Sequence, residues 1–154
     1  MSRLTAGEPV PPFAMTADDA TIVSSEALAG SRYVLYFYPK DDTSGCTTQA
    51  CGLRDSWSRV AETGVEVFGV SPDSVKSHVK FRAKYGLPYR LLSDEGHRVG
   101  ESFGVWVEKK AMGRTYMGIE RTTFVIGADG RVEHVLPQVK PDAHVEQLLE
   151  ALAA

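Results

Sequence analysis

Cysteine is scarce in this chain: Cys46 and Cys51 are the only two in 154 residues, five positions apart. So few exclude a disulfide-stapled fold, and a chain this long buries roughly 70% of its unfolded surface without staples. Long apolar runs are missing as well. No stretch approaches the ~18 consecutive apolar residues of a membrane span, and the opening MSRLTAGEPVPPF has no apolar signal run. Charge of one sign is not in excess either. Mixed along the chain, 17 basic and 20 acidic residues give a net charge of -3, which argues against a nucleic-acid or anionic-membrane surface. Internal repeats, low-complexity blocks and linkers are absent, so a single domain over residues 1–154 is expected. The expected setting is a reducing, cytoplasmic compartment, where close cysteines more often serve redox or metal chemistry than bridging.

What is present alternates between strand and helix patterns. Pro9, Pro11 and Pro12 suit an extended arm, followed by a hairpin near TADDATI. RYVLYFYP (32–39) is nearly all apolar and aromatic, as in a central strand buried on both faces, and Pro39 ends it. A helix is expected from about Gly45 to Glu62, and VEVFGVS (65–71) reads as a second buried strand. Ser71-Pro72-Asp73 looks like the start of a helix that stops at Gly86. YRLLSD then reads as a short strand and EGHRVGESFGV as a short helix. RTTFVIGADGRVEHVL predicts a hairpin turning at Asp129-Gly130. The last helix is expected from near Pro141, with Val145, Leu148, Leu149 and Leu152 facing inward. The sum is an α/β fold: a mixed central sheet with helices on both faces.

On a helical wheel Cys46 shares the inward stripe with Ala50, Leu53, Trp57 and Val60. Cys51 lies about 140° away, with Arg54, Asp55 and Ser58 on the polar side. Cys46 therefore falls in the first helical turn, where unpaired N–H groups and the helix dipole favour a thiolate. Two cysteines at this spacing, with His78, His97, His134 and His144 scattered, match no zinc signature, and the Cys-x-x-Cys spacing of disulfide exchange is absent. No metal or cofactor is expected, and the histidines read as solvated surface residues.

The segment YFYPKDDTSGCTTQACGLRD resembles peroxiredoxins of the Q, or bacterioferritin-comigratory, type, whose second cysteine follows the first by five residues. The pattern Pro-x-x-x-Thr-x-x-Cys stands here as Pro39, Thr43 and Cys46. The resemblance continues through FGVSPDSVKSHVKF, LLSDEGHRVGESFGVW and EKKAMGRTYMGIERTTFVIGADG. It implies a thioredoxin-like fold and thiol-dependent reduction of hydrogen peroxide and alkyl hydroperoxides. It makes Cys46 the peroxidatic cysteine, oxidised to a sulfenic acid, and Cys51 the resolving one, closing an intramolecular disulfide. Arg121, in IERTTF, becomes the active-site arginine. The implied reductant is thioredoxin or a glutaredoxin. Because the pair lies within one chain, a monomer is expected. Two positions depart from the pattern: Ser44 stands where proline is common, and Gln49 where an acidic residue is frequent. A peroxide sensor or disulfide relay on the same scaffold begins with the same attack, and a non-catalytic binding module would leave both thiols unreactive.

Peroxide reduction is a displacement at oxygen. A free thiol is already about 3% thiolate at neutral pH, so full ionisation gains at most ~30-fold. Stabilising the charge that spreads onto the leaving oxygen is the larger requirement. Thr43 offers a hydroxyl for this, Arg121 a rigid fork of donors, and the backbone around Gly45 and Cys46 further N–H groups. Pro39 would close the pocket. Taken singly, Thr43 is equally a helix cap, Pro39 the end of a strand, and Arg121 a surface partner of Glu120; the resemblance favours the catalytic roles. Tyr36, Tyr38, Phe103 and Trp106 read as core.

Overall fold

The computed structural model describes residues 3–154. A first hairpin, β1 (Ala14–Ala17) and β2 (Ile22–Ser24), leads through a single helical turn α1 (Ser25–Leu28) to β3 (Tyr33–Phe37). Then come α2 (Ser44–Asp55), α3 (Trp57–Ala61), β4 (Glu66–Ser71), α4 (Val75–Tyr85), β5 (Arg90–Ser93) and α5 (Arg98–Ser102). Two hairpins, β6 (Trp106–Ala111) with β7 (Arg114–Ile119) and β8 (Thr122–Ile126) with β9 (Val132–Leu136), precede the closing helix α6 (His144–Ala153). The main sheet has seven strands in the order β2-β1-β5-β4-β3-β8-β9, and β6-β7 form a separate pair. Strands β3, β4 and β5 run parallel, while β8 is antiparallel to β3 and β1 to β5. The sheet is mixed, as expected.

β3 sits at its centre, and all five of its residues are buried. Alternation sends Val34, Tyr36 and then Tyr38 to one face, with Cys46, Leu53, Val60, Phe81 and Leu148 of the helices. Tyr33, Leu35 and Phe37 face the other way, into a cluster with Phe13, Phe103, Val105, Ile119 and Phe124. Helices do lie on both faces, but unequally. The long ones, α2, α4 and α6, share the first face; the second is covered by the N-terminal arm and partly buried Leu28 of α1 and Val99 of α5. Tyr36, Tyr38 and Phe103 are core residues, whereas Trp106 is half-buried and stacks on His97 at 3.7 Å.

Several boundaries differ from the sequence reading. The expected 45–62 helix breaks at Ser56, which ends α2 and starts α3 with a non-helical ψ of 19°. α4 begins after Ser74, whose hydroxyl accepts from the Ser77 N–H at 3.1 Å, rather than at Ser71-Pro72-Asp73. Ser71 is still sheet, paired with Ser93, and Asp73 binds the loop before α2 instead of capping a helix. Gly86 stops α4 in the left-handed region (φ 60°), donating to the Arg82 carbonyl. The β6-β7 hairpin gave no signal in the sequence. Its outward residues are mostly exposed, so no alternation marks it, and its tight turn is Met112-Gly113, with φ of 53° and 76°, instead of the usual Asn-Gly or Asp-Gly.

Gly69 in β4 is required by packing. A Cβ there would lie 2.8 Å from Leu91 Cδ2 and 2.9 Å from the Tyr36 ring. Gly69→Ala should therefore destabilise the fold by about 1–3 kcal/mol through overpacking. Urea unfolding measures this, and an unchanged midpoint would show that β4 and β5 yield at no cost.

Candidate active site

The site lies where β3 releases the chain, outside the carboxyl end of a parallel strand, where open α/β sheets place ligands. Pro39 is half-buried immediately after β3, and residues 40–43 carry the chain into α2. Asp41 anchors that loop. Its carboxylate accepts from Tyr38 Oη (2.6 Å) and Ser77 Oγ (2.8 Å) and meets His78 Nδ1 at 2.7 Å, while its own N–H donates to Asp73 (2.8 Å). His78 Nε2 donates to the Leu92 carbonyl at 2.9 Å. Asp41, Asp73 and His78 also have the spacing of a metal cluster. Asp41 Oδ2, Asp73 Oδ2 and His78 Nδ1 are already bonded within the chain, which fits an anchor better than a metal centre. The nearby cleft of about 410 Å³ is lined by Asp41, Asp42, Ser77 and Lys84 and not by Cys46 or Arg121.

Cys46 occupies the first turn of α2 and is only 2% exposed; both cysteines are free thiols, and Cys51 is half-buried further along the same helix. Thr43 is the N-cap residue by its extended backbone, yet its side chain caps nothing. Its exposed hydroxyl donates to the Lys40 carbonyl at 3.0 Å.

Arg121 is brought in by the antiparallel pairing of β3 with β8. Phe37 faces Thr122, so one step further Arg121 comes beside Tyr38, where the chain leaves for α2. Its Nη1 donates to Cys46 Sγ at 3.4 Å and to Gln49 Oε1 at 2.7 Å. Glu120 does not hold this arginine, because Glu120 is paired with Arg3 from the N-terminal arm. Gly45 makes room: a Cβ there would lie 3.1 Å from Arg121 Nη2 and 3.3 Å from Pro141 Cγ. A half-buried lysine on β6, Lys109, adds to the positive surroundings. Burial and then the Arg121 charge push its ammonium below the usual lysine range.

Two histidines overturn the surface reading. His78 and His144 are both 0% exposed. The signal was present in spacing, since His78 lies three residues before Phe81 and His144 four before Leu148 on the buried faces of their helices. His144 Nδ1 lies 3.1 Å from Gln49 Nε2, and its Nε2 lies 2.8 Å from Thr123 Oγ1. Burial first, and the Arg121 charge second, push the His144 imidazolium down to about 3.

Residues 6–135 match the AhpC/TSA family model. The chain belongs to that family, among its peroxiredoxins of the Q or Bcp type. It is 47% identical to a putative peroxiredoxin bcp of Coxiella burnetii over 97% of this chain and 99% of the relative. Against peroxiredoxin Bcp of Escherichia coli the identity is 45%, covering 99% and 97%. Among solved structures, a cysteine-to-serine variant of Xylella fastidiosa PrxQ superposes with a TM-score of 0.91 at 32% identity, over 99% of this chain and 98% of that one. The Xanthomonas campestris bacterioferritin comigratory protein, described for its alkyl peroxide reduction activity, superposes at 0.86 with 36% identity, covering 92% and 90%. The thioredoxin-like fold expected of a peroxiredoxin is thus the fold observed, and the chain is a thiol peroxidase. No helix among the described residues is long and apolar enough to cross a membrane.

The buried imidazole gives this peroxiredoxin a pH signature. Unfolded, His144 returns to its ordinary value of 6.5, so between 6.5 and about 3 the unfolded chain binds a proton that the folded one refuses. His144 therefore contributes full stability above that window and loses it as pH falls, by at most roughly 1.4 kcal/mol per pH unit. Urea unfolding from about pH 7 to about pH 5 should show a shallower loss in His144→Asn than in the parent. Parallel pH profiles would mean that His144 is protonated in the fold.

Proposed function

We propose that this peroxiredoxin reduces hydrogen peroxide and alkyl hydroperoxides at Cys46, with Cys51 as resolving thiol and thioredoxin or a glutaredoxin as reductant. The observation that carries this reading is Arg121 Nη1 at 3.4 Å from a buried Sγ in the first turn of a helix. The Cys46 thiolate attacks one peroxide oxygen and the O–O bond breaks. The other oxygen leaves with a proton as water or an alcohol, and Cys46 becomes a sulfenic acid. The Arg121 fork and the open N–H groups of the α2 first turn face the oxygen on which charge develops. Pro39 shields the pocket. The Thr43 hydroxyl joins after turning away from the Lys40 carbonyl about its Cα–Cβ bond.

Resolution requires movement. Five residues of helix advance about 7.5 Å and turn through about 500°, whereas a disulfide needs Cα atoms within roughly 4.4–6.8 Å and facing side chains. The first turns of α2 must unwind for the Cys51 thiolate to displace the sulfenic oxygen as water. The exposed disulfide then takes two electrons from the reductant's thiols. Because both thiols belong to one chain, a single domain acting as a cytoplasmic monomer suffices.

Peroxide titration followed by intact mass separates the thiols. Cys46→Ser should not react, while Cys51→Ser should consume one equivalent and stall as a sulfenic acid open to overoxidation. Oxygen gained by Cys46→Ser, with Cys51→Ser remaining a free thiol, would reverse the assignment. Continuous NADPH oxidation with thioredoxin, its reductase and peroxide distinguishes a peroxidase from a single-turnover sensor.

Hydrogen exchange reads the unwinding. Protection across residues 43–55 should fall when the disulfide forms, while β4 keeps its protection. Unchanged protection with the disulfide confirmed by mass would rule out the opening of α2.

A further inference from the structure

We propose that His144 is a positioning residue of the peroxide reaction: through Gln49 it holds a neutral clamp that aims the Arg121 guanidinium at Cys46 without offsetting its charge. This rests on the peroxidase reading above, and it begins from proton assignments. Arg121 has donors only, so the Gln49 atom at 2.7 Å from it must be the carbonyl oxygen. The Gln49 amide nitrogen then faces His144 Nδ1 at 3.1 Å and donates to it. Nδ1 must therefore carry a lone pair, and the single imidazole proton sits on Nε2, donating to Thr123 Oγ1 at 2.8 Å.

A ring results. It runs from Arg121 to Gln49 on α2, to His144 on α6, to Thr123 on β8, and back along two residues of chain to Arg121. Gln49, His144 and Thr123 are each 0% exposed, so no water competes for these groups. The groups facing His144 are Gln49 from α2, Arg121 and Thr123 from the β7–β8 region, and the Tyr36 ring of β3 at 5.5 Å.

The residue types at positions 49 and 144 are matched. A carboxylate at 49 has no proton to donate, so it would set lone pair against lone pair at Nδ1 unless the imidazole took up a proton or changed tautomer. It would also neutralise Arg121, which in this chain keeps its full charge for sulfur and for the leaving oxygen. An amide rather than a carboxylate at position 49 thus has a physical reason, and His144 completes it.

The test combines a spectroscopic and a kinetic measurement. Imidazole nitrogen NMR of the reduced wild-type protein should show His144 with a bare Nδ1 and a protonated Nε2. A protonated Nδ1 would overturn the clamp whatever the activity. In stopped-flow, His144→Leu should slow peroxide oxidation of Cys46 about tenfold, a part of the roughly 10²–10³-fold loss seen when such a donor is removed outright. Iodoacetamide, which develops no charge on a leaving oxygen, should alkylate Cys46 with a smaller change. His144→Asn, whose side-chain oxygen can take the Nδ1 place, should restore peroxide oxidation to within about threefold of wild type. A peroxide rate in His144→Asn no better than in His144→Leu, or a folded His144→Leu at the wild-type rate, would refute the positioning role. Wild-type protein whose Cys46 ignores peroxide would instead refute the peroxidase reading, a result the NMR assignment is independent of.

Discussion

The contact between the Arg121 guanidinium and the buried Cys46 sulfur sets the terms for everything around it. A cation seated this far in needs space, and Gly45 supplies it where any side chain would meet Nη2. It must also be kept from nearby carboxylates. Arg3 occupies Glu120 from the N-terminal arm, and the side chain bridging α2 to the arginine is an amide with no charge. In the proposed reaction the pull of Arg121 on developing negative charge is thereby left to the reacting atoms, which is where a preorganised charge accelerates a displacement.

The same segment combines a fixed base with a loosely finished helix. Asp41 is held by Tyr38, Ser77, His78 and Asp73, contacts that tie the loop to α4 and to the chain just past the ends of β3 and β4. A few residues later the helix starts with no side-chain cap and no acidic residue in its first turn. Its first N–H groups are thus unclaimed by side chains. They are available to an anion, and the turn they belong to lacks the roughly 0.5–2 kcal/mol that a cap contributes. The break at Ser56 separates α2 from α3, so unwinding at one end need not disturb Val60 in the core.

Much of this was legible in residue order because local physics governs it. The all-apolar YVLYF could only be a strand covered on both faces, and Gly86 could end α4 because a left-handed residue closes a helix there. The buried placement of Cys46 and the lesser burial of Cys51 on a different face follow from helical period alone. Spacing along α4 and α6 also marked His78 and His144 as inward, but polarity pointed the other way, and burial prevailed because each found partners on other elements.

The sequence by itself therefore determined most of the elements, though neither the β6-β7 hairpin nor the break at Ser56, together with the family and the different helix faces of the two thiols, since each depends on neighbours within a few residues or on an ordered motif. Only the tertiary structure decided which partners meet. That Arg121 reaches Cys46 depends on the register of β8 against β3, that it is free of Glu120 depends on the N-terminal arm, and that Gln49 finds an acceptor depends on where α6 docks. These contacts span 72 to 117 positions of chain, and no local pattern encodes a distance that only the packed sheet brings to zero.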